Sequence, residues 1–211
     1  MSKQLIVDYM PFEVTPQQIN ESMEQNGGRL IVNGVLQRAN AKNQNGRVYP
    51  RDTLMKEAEK YAEVQIAERR ALGELDHPDS SVVNLNNVSH NVLEMHWKGN
   101  DLEGTVEVLG TPAGNILKEL FKSGIKLGIS SRGLGSVEEI HEGDGMDPVV
   151  KVQPDFELIA FDFVSNPSTH GAFLSPTNEG KLNEGVGTRH DGVCCHDCKI
   201  ENIINDIFRG E

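Results

Sequence analysis

KLGISSRG, residues 126–133, reads as a short strand, KLGIS, running into a turn, SRG, because Gly and Ser are what a tight turn favours. A strand here sets the character of the neighbours. It follows directly on GNILKELFKSG (114–124), a helix opened by Thr111 and Pro112 and stopped by Gly124. Downstream come a hairpin, LGSVEEIHEGDGMDPVVKVQ (134–153), and a further strand, FELIAFDFVS (156–165). Upstream, VSHNVLEMHW and LEGTVEVLG flank the turn KGND (98–101), and QLIVDY and RLIVNGVLQ give two more strands, the second with Gly34 as a bulge candidate. Two more helices complete the pattern. VTPQQINESMEQNGG (14–28) carries Thr15 as N-cap, Pro16 at the first position, Gln18 closing a capping box and Gly27 as the stop. Pro50 to about Arg70 repeats apolar residues at helical spacing. Many short strands with few helices between them predict an α+β domain with an antiparallel, barrel-like core rather than alternating βαβ units.

The 211 residues suffice for one full domain and a tail. From about Ser175 the chain turns Gly-, Asn- and Glu-rich with little to bury, so the expected division is a folded domain over 1–175 and a flexible tail over 176–211. No run approaches the roughly 18 apolar residues of a membrane helix, and the first residues lack the pattern of a signal peptide, so no membrane association is expected. The net charge is −12, from 32 acidic against 20 basic residues, with no basic cluster to neutralise phosphates; direct nucleic-acid binding is not expected. All three cysteines lie within 194–198, which leaves the body of the chain without a disulfide and fits a reducing compartment.

The adjacent Ser130 and Ser131 raise the question of a nucleophile. A serine hydroxyl attacks only with a base beside it, and neighbouring residues of a strand point to opposite faces, so only one of the pair can serve. Among the histidines, His77 precedes Pro78, which biases it to an extended or turn conformation at the edge of a strand, a good place for a base. His90 and His96 differ by an even number and are expected on one strand face. His77, His90 and His96 as three zinc ligands is a poorer reading, with no HExxH-type pattern behind it.

The strings GELDHP (73–78), WKGNDLEGTVEV (97–108), GIKLGISSRGLGS (124–136) and FDFVSNPS (161–168), in that order, resemble the prohead core protein proteases of large tailed bacteriophages, capsid-maturation serine endopeptidases related in fold to herpesvirus assemblin. The likeness runs from about Val32 to Leu174. It implies His77 as general base and Ser130 as nucleophile, with Ser131 as the alternative and backbone N–H groups of Arg132 and Gly133 near the oxyanion. Asp162, a carboxylate inside an apolar strand, is the first candidate to orient the imidazole, with His90, Glu157 and Asp76 as competitors. No cofactor is implied.

The resemblance further implies cleavage after Glu with Leu or Ile two residues before it. That pattern occurs at Glu21, Glu74, Glu119 and Glu184, and only Glu184 lies in an unstructured stretch, so a zymogen that removes residues 185–211 by self-cleavage is expected. Implied substrates are prohead scaffold, core and capsid proteins, with self-association, inside the prohead in the host cytoplasm. The tail offers weak metal ligands, His190, Cys194, Cys195, His196 and Cys198, packed too tightly for an unstrained tetrahedral site. The alternative for the whole chain is a non-catalytic capsid or scaffold component with a metal-binding tail.

Overall fold

Strand β1 (Gln4–Phe12) leads into helix α1 (Pro16–Gln25), and the two elements are joined by the capping box read from the sequence. In this computed structural model, residues 3–140 and 148–165 are described. Thr15 Oγ1 accepts from Gln18 N at 3.3 Å and Gln18 Oε1 accepts from Thr15 N at 2.8 Å. There follow β2 (Leu30–Arg38), the two-residue β3 (Arg47–Val48), α2 (Arg51–Tyr61), β4 (Leu72–Glu74), β5 (Val88–Lys98), β6 (Asp101–Val108), α3 (Pro112–Lys122), β7 (Leu127–Gly135), β8 (Val137–Ile140), β9 (Val149–Val152) and β10 (Glu157–Val164). All these elements belong to one unit, Met1–Phe173.

The strands form three sheets, ordered β1-β7-β10, β2-β6-β5-β4 and β3-β9-β8, antiparallel throughout except for the β3–β9 pair. The α+β class expected from the sequence holds, with sheets that do not close into a barrel. The main core gathers residues from the first two sheets and from α1, α2 and α3: Phe12, Leu36, Tyr61, Val106, Leu117, Phe121, Phe161 and Phe163 are all buried there. Phe163 is its hub, meeting Phe12 at 5.1 Å, His90 at 4.7 Å and Phe121 at 5.3 Å, each edge-on, as aromatic quadrupoles favour.

Three sequence expectations change. The helix from Pro50 does not run regularly to Arg70: after Tyr61 it widens to a π-helical turn at 62–66, with Ala67 N on Ala62 O, and ends at Arg69, whose φ is +56°. The bulge of β2 falls between Val35 and Gln37, not at Gly34, where Phe12 lies so close that a Cβ would sit 2.3 Å from its ring. The residues SSRG do not form a turn. Strand β7 runs straight through them as the central strand of its sheet, paired residue by residue with β1 and β10.

Truncating the hub should be costly. Phe163→Ala is expected to lower the unfolding free energy in urea by about 3–5 kcal/mol; a loss under 1 kcal/mol would mean that the aromatic cluster is not the centre of the core.

Candidate active site

A central strand presents alternate side chains to its two faces, and in β7 both faces are polar. Ser131, with Ile129 and Gly133, turns toward the core. The bulge at Leu36 buries Leu36 and Gln37 together and aims the Gln37 amide at this serine: Gln37 Nε2 donates to Ser131 Oγ at 2.7 Å, and Ser131 Oγ faces Asp8 O at 3.4 Å. Asp8 is itself held by Tyr49 Oη and by Arg47 at 3.0 Å. Ser131 is thereby tied into a structural network.

Ser130 stands on the opposite face with Arg132. It is 1% exposed, and its Oγ has no hydrogen-bond partner. Directly across the ladder is Asp162 of β10. Arg132 has no exposed side-chain surface and forks onto that carboxylate, Nε to Oδ2 at 2.8 Å and Nη2 to Oδ1 at 3.1 Å. Nη2 also reaches Glu74 Oε1 at 2.9 Å, and Nη1 reaches Ser80 O at 2.7 Å. Asp162 Oδ1 takes a further bond from Glu74 N at 3.0 Å. Burial pushes the Asp162 carboxyl upward, and the Arg132 guanidinium pulls against that.

His77 lies in a loop that is tied at both ends and reaches Arg132 of this face through Ser80 O. Leu75 bridges Phe163 in parallel, Asp76 N donates to Phe163 O at 2.8 Å, Leu75 N reaches Asn87 O at 3.0 Å, and Asn84 N reaches Glu74 Oε1 at 3.0 Å. Phe163 pairs with Ile129 and Asp162 with Ser130, so the chain at Leu75 lies one strand beyond β10. His77 is half-buried, and its Nδ1 is buried without a partner.

The remaining candidates stand elsewhere. His90 is in the core, where Nε2 meets Phe161 O at 2.9 Å and Nδ1 meets Ser89 Oγ at 2.9 Å; a carbonyl only accepts, so the proton sits on Nε2. His96 does not share its face, because a bulge between Val92 and Glu94 inverts the alternation, and it pairs on the surface with Glu103 at 3.3 Å. Glu157 is exposed, bonded to Lys3 at 2.6 Å, and sits opposite Leu134, at the far end of the ladder. Asp76 is exposed at φ +63° and accepts from His77 N at 3.1 Å. Arg132 and Gly133 lie within the central strand, whose N–H groups run in the plane of the sheet toward β1 and β10; what Arg132 puts on the Ser130 face is its guanidinium. Among the described residues no cluster of His, Cys, Asp and Glu could hold a metal, and no helix is long and apolar enough to cross a membrane. Glu184 and the tail residues His190, Cys194, Cys195, His196 and Cys198 lie outside the described residues.

Sequence reading passed over Glu74 and the side chains of Arg132 and Gln37. The signal for the first two was present: an arginine in an apolar strand needs a partner for the same reason as Asp162 does.

The model of the prohead core protein serine proteases matches residues 5–184. The chain belongs to that family. The prohead core protein protease of Enterobacteria phage T4 is 33% identical over 150 residues, which span 70% of this chain and 68% of that protein. The solved structure of the bacteriophage T4 capsid assembly protease is similar over 78% of this chain and 99% of its own, with a TM-score of 0.66 and 29% identity. Of the adjacent serines of this prohead core protease, Ser130 is the one whose hydroxyl no hydrogen bond engages.

His90 gives this protease a definite response to acid. Burial lowers its pKa from 6.5 to about 4. The unfolded chain therefore binds a proton between those values while the folded one does not. The stability contribution is whole above pH 6.5 and falls as the pH drops toward 4, by up to about 3 kcal/mol. Urea unfolding at pH 7 and pH 4.5 is expected to show this slope, and a His90→Gln variant is expected to lose that part of it.

Proposed function

We propose that the chain is a maturation endopeptidase of a phage prohead that uses Ser130 as nucleophile and His77 as general base. The observation that carries the reading is the asymmetry of the serine pair: Ser131 is held by Gln37 and Asp8, while Ser130 is buried, unbonded, and on the face from which Arg132 reaches Ser80 O of the His77 loop. His77 takes the Ser130 proton as Oγ attacks the peptide carbonyl, and then delivers it to the departing amine. Water repeats the exchange on the acyl-enzyme. Asp162 acts in this reading through Arg132, whose position it fixes.

Cleavage follows Glu with Leu or Ile two residues before it. Three of the four matches in the chain lie in regular structure: Glu21 in α1, Glu74 buried in β4 and Glu119 in α3. A protease must draw its substrate into an accessible extended strand, so the two helical sites and the buried Glu74 are protected. Glu184 remains, at the residue where the family match ends. The zymogen removes residues 185–211 after Glu184, and its other substrates are scaffold, core and capsid proteins inside the prohead, where copies of the chain self-associate. Support for the substrate class comes from the kinship with a capsid assembly protease.

Intact mass spectrometry of the concentrated chain tests this. The wild type is expected to lose residues 185–211. His77→Ala and Ser130→Ala should stay whole. Ser131→Ala should still cut, less stable by about 1 kcal/mol for the bond from Gln37. Cutting that depends on Ser131 and not on Ser130 would reverse the assignment.

A further inference from the structure

Ser130 Oγ, His77 Nδ1 and Glu74 Oε2 are all buried side-chain atoms without a hydrogen-bond partner. A buried polar atom left open is costly, and folded chains seldom leave one without a reason. Attack on a substrate accounts for the serine. His77 Nδ1 and Glu74 Oε2 are an open donor and an open acceptor in one short segment, since a ring nitrogen can carry a proton and a carboxylate oxygen can only accept one; the buried Tyr61 hydroxyl is also open, but it comes from α2 rather than from the His77 loop.

They are also three residues apart in GELDHP, with the chain turned between them by Asp76 in the left-handed region. The rest of the Glu74 side chain is fixed. Its Oε1 accepts from Arg132 Nη2 at 2.9 Å and from Asn84 N at 3.0 Å, which sets the carboxylate between Arg132 and the loop that carries His77 and leaves Oε2 as its open edge. Arg132 Nη1 on Ser80 O holds the far side of that loop. Asp162 is less suited, because the guanidinium fork spans both of its oxygens and Glu74 N adds a third bond. One guanidinium also balances only one of the two carboxylates.

We infer that Glu74 is the positioning residue of the catalytic histidine: its Oε2 accepts the proton of His77 Nδ1, which leaves Nε2 bare toward Ser130. The inference rests on His77 being the base. Catalytic hydrogen bonds are often open in a free enzyme and tighten when substrate binds. Four other charged or titratable groups surround the pair: Arg132 from β7, Asp162 from β10, Asp76 from the loop, and Tyr61 at the end of α2, which feels both Asp162 and Arg132.

The test uses the full chain labelled with ¹⁵N at histidine, with the His77 signals assigned from their loss in His77→Gln. The neutral ring is expected to carry its proton on Nδ1; a proton on Nε2 would overturn the inference, and this reading needs no variant of Glu74 to fold. On a fluorogenic peptide cut after Glu, Glu74→Gln is expected to lower kcat by 10³- to 10⁴-fold, on the order seen when a triad carboxylate is neutralised, with KM little changed. The acid limb of its rate profile should move to lower pH, because the imidazolium loses its anion, while Asp162→Asn should leave that limb in place. An unmoved limb in Glu74→Gln, or a shifted one in Asp162→Asn alone, would contradict the role. Activity retained in His77→Gln would sink the base assignment itself, whereas activity lost there with an Nε2–H ring in the wild type would sink only the role of Glu74.

Discussion

An arginine with no solvent-exposed side-chain surface has to find all its partners inside the protein, and the site depends on how Arg132 does so. Taking such a charge out of water costs several kcal/mol, offset only when the geometry is good and the donors are used. Arg132 uses its donors on three separate pieces of chain: Asp162 in β10, Glu74 at the end of β4, and the carbonyl of Ser80. Removing a partner from such a cluster typically costs 3–5 kcal/mol, because the remaining charge is stranded. The energy that keeps the arginine buried is thus also the energy that fixes the His77 loop against β10. The same strand that carries Arg132 carries Ser130 two residues earlier, on the same face. A single residue spacing therefore sets the serine and the loop in one frame.

The other face of β7 explains why a second serine sits beside the first. Alternation delivers Ser131 to the core side, where an unbonded hydroxyl would be a liability. The β2 bulge at Leu36 answers it by turning Gln37 inward, and the Asp8–Tyr49–Arg47 group secures the backbone opposite. Below these lies the aromatic cluster around Phe163, whose backbone carbonyl receives Asp76 N. Core packing and loop position are consequently joined through one residue of β10. A glycine makes the close approach possible on the β4 side: a Cβ at Gly73 would fall 2.0 Å from Phe161 O and 2.2 Å from the His90 ring.

Much of this was legible in the sequence. Thr15 with Gln18, Thr111 with Pro112, and the KGND turn mark element ends through local chemistry, and local chemistry is what a sequence displays. The strings GELDHP and SSRG carry the family resemblance, and the family is borne out by the match over residues 5–184. What stayed hidden was set by tertiary partners. SSRG has the composition of a turn, yet strands on both sides hold it extended. His90 and His96 share a face by counting, until the bulge after Val92 adds a residue and sends one to the core and the other to solvent. The helix after Pro50 keeps its composition through the π-helical turn at 62–66, where only the hydrogen-bond pattern changes. Asp162 stands out in the sequence as a carboxylate in need of a partner, but that partner, Arg132, two residues beyond Ser130, emerges only from the pairing of β7 with β10.

The central claim is that one serine of the pair reacts, and that it reacts because of His77. Treating the wild-type chain with a fluorophosphonate probe and locating the adduct by peptide fragmentation tests it directly. The account predicts a single adduct on Ser130 that disappears in His77→Ala. An adduct on Ser131, or labelling of Ser130 that persists without the histidine, would contradict it.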